Sequence, residues 1–324
     1  MITSVLLFAV GLVLLIKGGD WFVDGATGLA TRFNLPDIVV GATVVSIGTT
    51  LPEVMVSTTG ALAGSGAMAY GNAIGSIICN TALIAAISIT CNPGPVNVKS
   101  MKTPAIFFFC SAALYCFASY ILGEFPRWMG FVMLAIFVVY MVLTVRNGMK
   151  NPDSVEEEEE VEGKERKLWQ ELLLLVAGAA VIAVGADLLV DHGQIIALEL
   201  GVPETVVALL FVALGTSLPE LVTTITSLKK GRASLGVGNV IGANVFNLVL
   251  VSGVAVSLAP FPVPCENFLL DTGLNMSLVL EIPVMLGVMS LMIFPALLSK
   301  KLGRWQGILL LGIYAAFCVC QFIL

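Results

Sequence analysis

The sequence predicts an all-α polytopic membrane protein, with ten transmembrane helices in two inverted-topology five-helix repeats. Three observations predict this: the composition, a series of long apolar runs, and an internal repeat in fixed register. Of 324 residues, 58% are hydrophobic and 12% charged, and the mean hydropathy is +0.99. A soluble domain carries about 25% charged residues. This chain cannot cover itself with polar surface, which excludes a soluble globule and a disordered chain. The apolar runs are unbroken rather than alternating, which argues against a membrane barrel. With 16 Lys+Arg against 22 Asp+Glu the net charge is −6, so no basic footprint points to nucleic acid.

A spanning helix needs about 20 mostly apolar residues. Ten stretches qualify, roughly 2–19, 37–63, 70–91, 103–122, 127–146, 168–190, 203–228, 235–259, 274–298 and 303–323. The first does not read as a signal peptide, because no basic residue precedes it and Lys17 follows the apolar run. Threading the chain through these spans puts every Lys and Arg except Arg127 on one side. That side should be cytoplasmic, which places both termini outside the cytoplasm; the short loops and the lack of a regulatory domain in the central one suggest a prokaryotic plasma (inner) membrane. The loops near 64–69, 191–202 and 260–273 contain neither Lys nor Arg. The seven cysteines form no CxxC or metal spacing and read as small buried hydrophobes. His192 falls in an expected outside loop.

The repeat organises the rest. Gly48-Thr49-Thr50-Leu51-Pro52-Glu53 returns as Gly215-Thr216-Ser217-Leu218-Pro219-Glu220, an offset of 167. The same offset matches Gly71-Asn72-Ala73-Ile74-Gly75 to Gly238-Asn239-Val240-Ile241-Gly242, and Asn80 to Asn247. It also pairs Pro36 with Pro203, Asp20 with Asp187 and Asp24 with Asp191. Residues 1–146 therefore form a first repeat, 147–167 an acidic linker, and 168–324 a second repeat. Five spans separate repeat mates, and an odd number inverts one half against the other. Inverted repeats with interrupted helices are a transporter architecture, with the ion site near midplane where the halves meet.

Glu53 and Glu220 are the acids deep within their spans. A lone ionisable group in hydrocarbon costs roughly 2.5–3.5 kcal/mol on insertion scales and is a functional candidate by default. Two at equivalent positions would converge and repel unless a cation lay between them. Pro52 and Pro219 should break the helix just before each Glu, with Gly48 and Gly215 loosening the turn above. Freed carbonyls would then join Thr49, Thr50, Thr216 and Ser217 as oxygen ligands. Asn80 and Asn247 lie mid-span in the following helices, and Ser76 sits one turn before Asn80. Such an all-oxygen set suits Ca2+, which takes about six to eight oxygens, and disfavours Zn2+ or Cu+. Asn72, Asn239 and the neighbouring glycines read as helix starts that permit close packing.

At these residues the sequence resembles the calcium/cation antiporter superfamily, whose best-known members are the sodium/calcium exchangers, and in size a prokaryotic one. The resemblance rests on the doubled G-T-[ST]-L-P-E motif with a downstream G-N-x-I-G…N, and it covers essentially the whole chain. It implies ten helices in two inverted halves and antiport of Ca2+ against Na+. It implies ligands at Thr49, Thr50, Glu53, Ser76 and Asn80, at Thr216, Ser217, Glu220 and Asn247, and at the backbone carbonyls of Ser46 and Ala213. The long spans 2–31 and 168–198 would slide against the others. One departure stands out: the repeat mate of Ser76 is Ala243, where relatives often carry a hydroxyl. Relatives also differ between Asn and Asp at the position of Asn247. With Asn, two acids neutralise one Ca2+ or two Na+.

Neither a resident cofactor nor an obligate protein partner is expected; Ca2+, Na+ and the bilayer are. Ca2+/H+ antiport through the same carboxylates is an alternative. A passive channel and an intramembrane hydrolase are further readings, the latter opposed by the lack of an activated nucleophile. Glu156 to Glu160 and Glu162 read as a solvated linker. Glu281, two residues before Pro283, lines a water-filled path or has a structural partner. Asp20, Asp24, Asp187 and Asp191 read as a symmetric structural set at span ends.

Overall fold

The computed structural model describes residues 2–150, 166–200, 215–264, 268–269 and 274–323. Ten helical segments lie among them: α1 Ile2–Arg32, α2 Asp37–Leu62, α3 Gly66–Cys91, α4 Val98–Leu122, α5 Arg127–Lys150, α6 Leu168–Glu199, α7 Leu218–Lys229, α8 Ala233–Leu258, α9 Ser277–Ser299 and α10 Arg304–Ile323. Eight are long and apolar enough to cross a membrane, against the ten expected; α7 and α10 are the two that are not among them. Residues 201–214, which would begin the seventh span, and most of the acidic linker lie outside the described residues.

The helices are longer than apolarity alone suggested. α1 continues to Arg32, and α6 carries His192 inside it rather than in a loop. Of the six described cysteines only Cys79 is buried, and Cys91 and Cys110 are exposed. In a chain made for lipid, an outward-facing apolar residue needs no protein cover. Asn97 caps α4, accepting from the N–H groups of Lys99 and Ser100, and Gly123 ends it with φ +71°.

Among the described residues, five helices contain a widened turn with i→i+5 bonding. Two of these, Asn80–Ala85 in α3 and Asn247–Val251 in α8, begin on repeat mates. A third, Gly41–Val45, lies in α2 above Glu53. The others are Phe117–Leu122 and Ser277–Glu281. Such turns leave backbone groups unpaired and recur at functional sites.

Two apolar cores form. The larger is built from α2–α5 and α8–α10, and the smaller from α1, α2, α6 and the start of α8. α1 and α6 pack backbone to backbone and antiparallel. A Cβ at Gly11 would lie 2.8 Å from the Gly185 carbonyl, one at Gly18 2.9 Å from the Ile182 nitrogen, and one at Gly25 2.6 Å from the Leu175 nitrogen. Small residues allow this approach where lipid offers no hydrophobic drive. Short antiparallel strand pairs clip the two halves together: Gly94–Pro95 with Lys301–Leu302, and Glu124–Phe125 with Phe261–Pro262.

The turns that follow α2 and α7 are built alike. Ala63 (φ −78°, ψ 2°) corresponds to Lys230 (φ −87°, ψ 8°), and Gly64 (φ +87°) to Gly231 (φ +72°). Their hydrogen bonds match too: Ser65 N–H donates to the Gly60 carbonyl at 2.9 Å, and Arg232 N–H to the Ser227 carbonyl at 2.8 Å. The positive φ explains the glycine at this pair of mates.

Candidate cation site

Glu53 on α2 and Glu220 on α7 are fully buried and near enough for their charges to interact. The helices that carry them differ in one respect from expectation. α2 runs through Pro52 without a break. Proline removes one N–H, which deprives the Gly48 carbonyl of its donor, and the rest of the ladder closes around it. The loosened turn lies upstream, at Gly41–Val45. In the second half the interruption is where the sequence placed it. Residues 216–217 leave the helix, and Pro219 sits in the first turn of α7, where its missing N–H is not needed.

Among the described residues, none of the four carboxylate oxygens of Glu53 and Glu220 has a hydrogen-bond partner. The same holds for the hydroxyls of Thr50 and Ser217 and both amide atoms of Asn80 and Asn247. All these side chains are buried. The hydroxyls of Thr49 and Thr50 lie beside the Glu220 carboxylate. Ser76 is buried one turn before Asn80. Ser46 is buried as well, and its hydroxyl donates to the Gly41 carbonyl at 2.8 Å. Ala213 lies outside the described residues. Buried polar groups are normally paired, and buried carboxylates especially so. An array of unpaired carboxylate, hydroxyl and amide oxygens is therefore suited to a hard cation.

Thr216 is less buried than Thr49, and both are held. Thr49 Oγ1 donates to Asn239 Oδ1 at 3.1 Å, and Thr216 Oγ1 to Asn72 Oδ1 at 3.3 Å. Asn72 also donates to Ser57 Oγ at 2.8 Å and to the Glu53 carbonyl at 3.3 Å. This corrects the reading of Asn72 and Asn239 as helix starts, since α3 and α8 begin well over a turn earlier, at Gly66 and Ala233. The offset of 167 had already marked both residues; their role needed the packing of one half on the other. Sequence reading also missed Thr223, Thr224 and Ser227, buried hydroxyls on the Glu220 helix without partners among the described residues.

The α1–α6 pair covers the site. A Cβ at Gly48 would lie 2.8 Å from Phe22 of α1, and one at Gly215 2.9 Å from Val190 of α6. A cleft of about 10 Å³, room for roughly one water, lies between Phe22, Ala179, Ile182 and Ala183 on that side and Thr49, Pro52 and Pro219 on the other. Glu281 is half-buried and accepts from Gln321 at 3.3 Å, which favours the structural-partner reading. The acids at span ends are not a symmetric set. Asp20 and Asp24 are ion-paired with Lys230, whose repeat mate is Ala63.

Membrane-length helices around a buried, unpaired pair of acids define a polytopic membrane protein with a candidate cation site. The chain belongs to the sodium/calcium exchanger protein family, whose model matches residues 3–146 and 171–323. It is 35% identical over 308 residues to the uncharacterized membrane protein MJ0091 of Methanocaldococcus jannaschii, covering 95% of this chain and 94% of that one. It is 28% identical to the sodium/calcium exchanger MaX1 of Methanosarcina acetivorans, over 98% of each chain. A solved structure of the sodium-calcium exchanger NCX_Mj superposes with a TM-score of 0.80 at 33% identity, covering 98% of each chain. The resemblance carried by the two motifs thus holds at the level of the family, a family of ion antiporters.

Proposed function

We propose that this chain is a secondary antiporter that exchanges Ca2+ for Na+ across the plasma membrane by alternating access. Ten spans in two inverted halves, residues 1–146 and 168–324, would meet at Glu53 and Glu220, with both termini extracytoplasmic. The observation that carries this reading is the unpaired, buried state of both carboxylates, beside unpaired Thr50, Ser217, Asn80 and Asn247. Two acids neutralise one Ca2+ or two Na+, so the ions compete for one charge and bind in alternation. Thr49, Thr216, Ser76 and the carbonyls of Ser46 and Ala213 complete the proposed ligand set. The α1–α6 pair is joined along a glycine-lined interface and packs against α2 and the start of α8 through a small core separate from the larger one, which fits it to shift as a unit across the site. No resident cofactor and no protein partner are needed for this cycle.

Uptake of radiolabelled Ca2+ into vesicles under imposed gradients tests it. Uptake driven by an outward Na+ gradient, and absent with a pH gradient alone, is expected. Uptake driven only by the pH gradient would replace Na+ by H+ at the same carboxylates.

A further inference from the structure

Beyond the acids, α7 carries a stripe with no function so far. Thr223, Thr224 and Ser227 follow Glu220 at i+3, i+4 and i+7, on one helix face. All three are at most 2% exposed, and among the described residues none of their hydroxyls has a hydrogen-bond partner. Hydroxyls on membrane helices usually back-bond to the preceding turn. Thr43, Thr59 and Thr90 of this chain do so. Thr58, Ser111, Ser119 and Thr144 are scattered exceptions, whereas three on one face, beginning one turn from Glu220, point to a transient occupant. On α2 the corresponding positions are Val56, Ser57 and Gly60, and Ser57 is already bonded to Asn72.

The stripe ends at the Lys230-Gly231-Arg232 turn. Lys230 Nζ lies 2.6 Å from Asp24 Oδ1, 3.7 Å from Asp20 Oδ1 and 3.0 Å from the Asp20 carbonyl. Arg166 adds a contact of 3.9 Å to Asp24, and Arg232 pairs with Asp37 of α2 at 3.2 Å. Lys230 thus ties α1 to the end of the Glu220 helix. The matching turn Ala63-Gly64-Ser65 has the same backbone but no charge, although Asp187 and Asp191 of α6 stand where Asp20 and Asp24 do.

We propose that Thr223, Thr224 and Ser227 line the half-path by which cations pass between Glu220 and the Lys-bearing face, and that the Lys230–Asp24 pair closes its mouth. This rests on the alternating-access reading above. Hydroxyls suit the class of occupant, partly dehydrated Na+ or Ca2+, since each offers an oxygen without fixing a charge. The pair is 29% and 38% exposed at its two side chains. Such a bridge shifts a two-state equilibrium by about fivefold, enough to set a preference and weak enough to break in each cycle. Its absence from the Ala63 turn biases the protein toward opening on that opposite face.

Proteoliposomes assayed from each face test both parts, with Ca2+/Ca2+ exchange as the readout. Absence of exchange in the unaltered protein would defeat the antiporter reading itself. Given exchange, Lys230→Ala should lower the half-saturating Ca2+ concentration at the Lys-bearing face about fivefold. Ala63→Lys, at an exposed position on the matching turn, should do the reverse, raising the half-saturating concentration at its own face and lowering it at the Lys-bearing face. Unchanged sidedness in both variants would overturn the latch. Thr224→Val should cut turnover about tenfold with equilibrium Ca2+ binding intact, and Thr224→Ser should restore it. Normal turnover in Thr224→Val, or loss of Ca2+ binding in step with turnover, would overturn the path.

Discussion

Thr49 and Thr216, repeat mates, are each fixed by the other half of the molecule. Thr49 donates to Asn239 at 3.1 Å, and Thr216 donates to Asn72 at 3.3 Å, and the two asparagines are themselves repeat mates. A hydroxyl has one proton and two lone pairs. Giving the proton to an amide oxygen turns the lone pairs away from it, toward the space beside the carboxylates. The asparagines thereby orient the threonines and join the halves at one stroke.

Asn239→Ala should therefore weaken Ca2+ binding without touching an acid. Thr49 alone loses its acceptor, since Ser46, 3.3 Å from Asn239 Oδ1, keeps the Gly41 carbonyl at 2.8 Å. That bond is worth about 1 kcal/mol, which predicts a rise of roughly fivefold in the half-saturating Ca2+ concentration. Asn72→Ala, at a half-buried position with a longer bond to its threonine, should give a smaller rise. Ca2+ titration of uptake in the two variants checks the order. A larger effect in Asn72→Ala would mean that the threonines are oriented by something else.

The acids make a prediction about stability as well as flux. Two buried carboxylates without a cation repel each other and lack hydrogen bonds. Glu53→Gln or Glu220→Gln should reduce Ca2+ flux by at least about a hundredfold, yet raise Tm in chelator. Ca2+ at a hundred times its Kd stabilises a binding protein by about 2.7 kcal/mol, and that Ca2+-dependent gain should vanish in both variants. Thermal unfolding with and without Ca2+, alongside flux, reads both. Near-normal flux in the double variant would remove Glu53 and Glu220 from the site.

Much of this was legible in the sequence because a repeat gives two readings of each position. Glu53 and Glu220, Asn80 and Asn247 were all marked by the offset, and all four are buried with unpaired oxygens or amides. The continuity of α2 through Pro52, where a break was expected, was not legible. A proline only deletes one hydrogen bond, and whether the helix yields there or at Gly41–Val45 depends on what packs around it. The roles of Asn72 and Asn239 were hidden for a related reason, since their partners lie 144 and 190 residues away. The pairing of Asp20 and Asp24 with Lys230 escaped because a repeat suggests symmetry, and the charge is present on one side alone.

Gly48 should tolerate no side chain unless Phe22 gives way. Its Cβ would lie 2.8 Å from the ring tip, well inside contact distance. Overpacking of this kind costs about 1–3 kcal/mol. Gly48→Ala should lower Tm and slow exchange, because Phe22 belongs to the α1–α6 unit and Gly48 to the fixed helix beneath it. Phe22→Leu in the Gly48→Ala background should recover both. Recovery of Tm without recovery of exchange would assign the glycine to motion rather than to packing.

Tyr140 on α5 offers a test of the widened turn above Glu53. Its hydroxyl donates to the Ala42 carbonyl at 2.8 Å, inside the Gly41–Val45 segment. An i→i+5 turn shifts the ladder by one residue, so a carbonyl there gains from an outside donor. Tyr140→Phe keeps the ring against Phe246 and Phe107 but takes from the Ala42 carbonyl its donor from outside the helix. Loss of that bond costs about 1 kcal/mol. Tyr115 is the control: it is as deeply buried, yet its hydroxyl has no partner among the described residues. Tyr115→Phe should be neutral or stabilising, while Tyr140→Phe should lower Tm and weaken Ca2+ binding together. Equal Tm values for the two variants would show that the widened turn holds its shape without Tyr140.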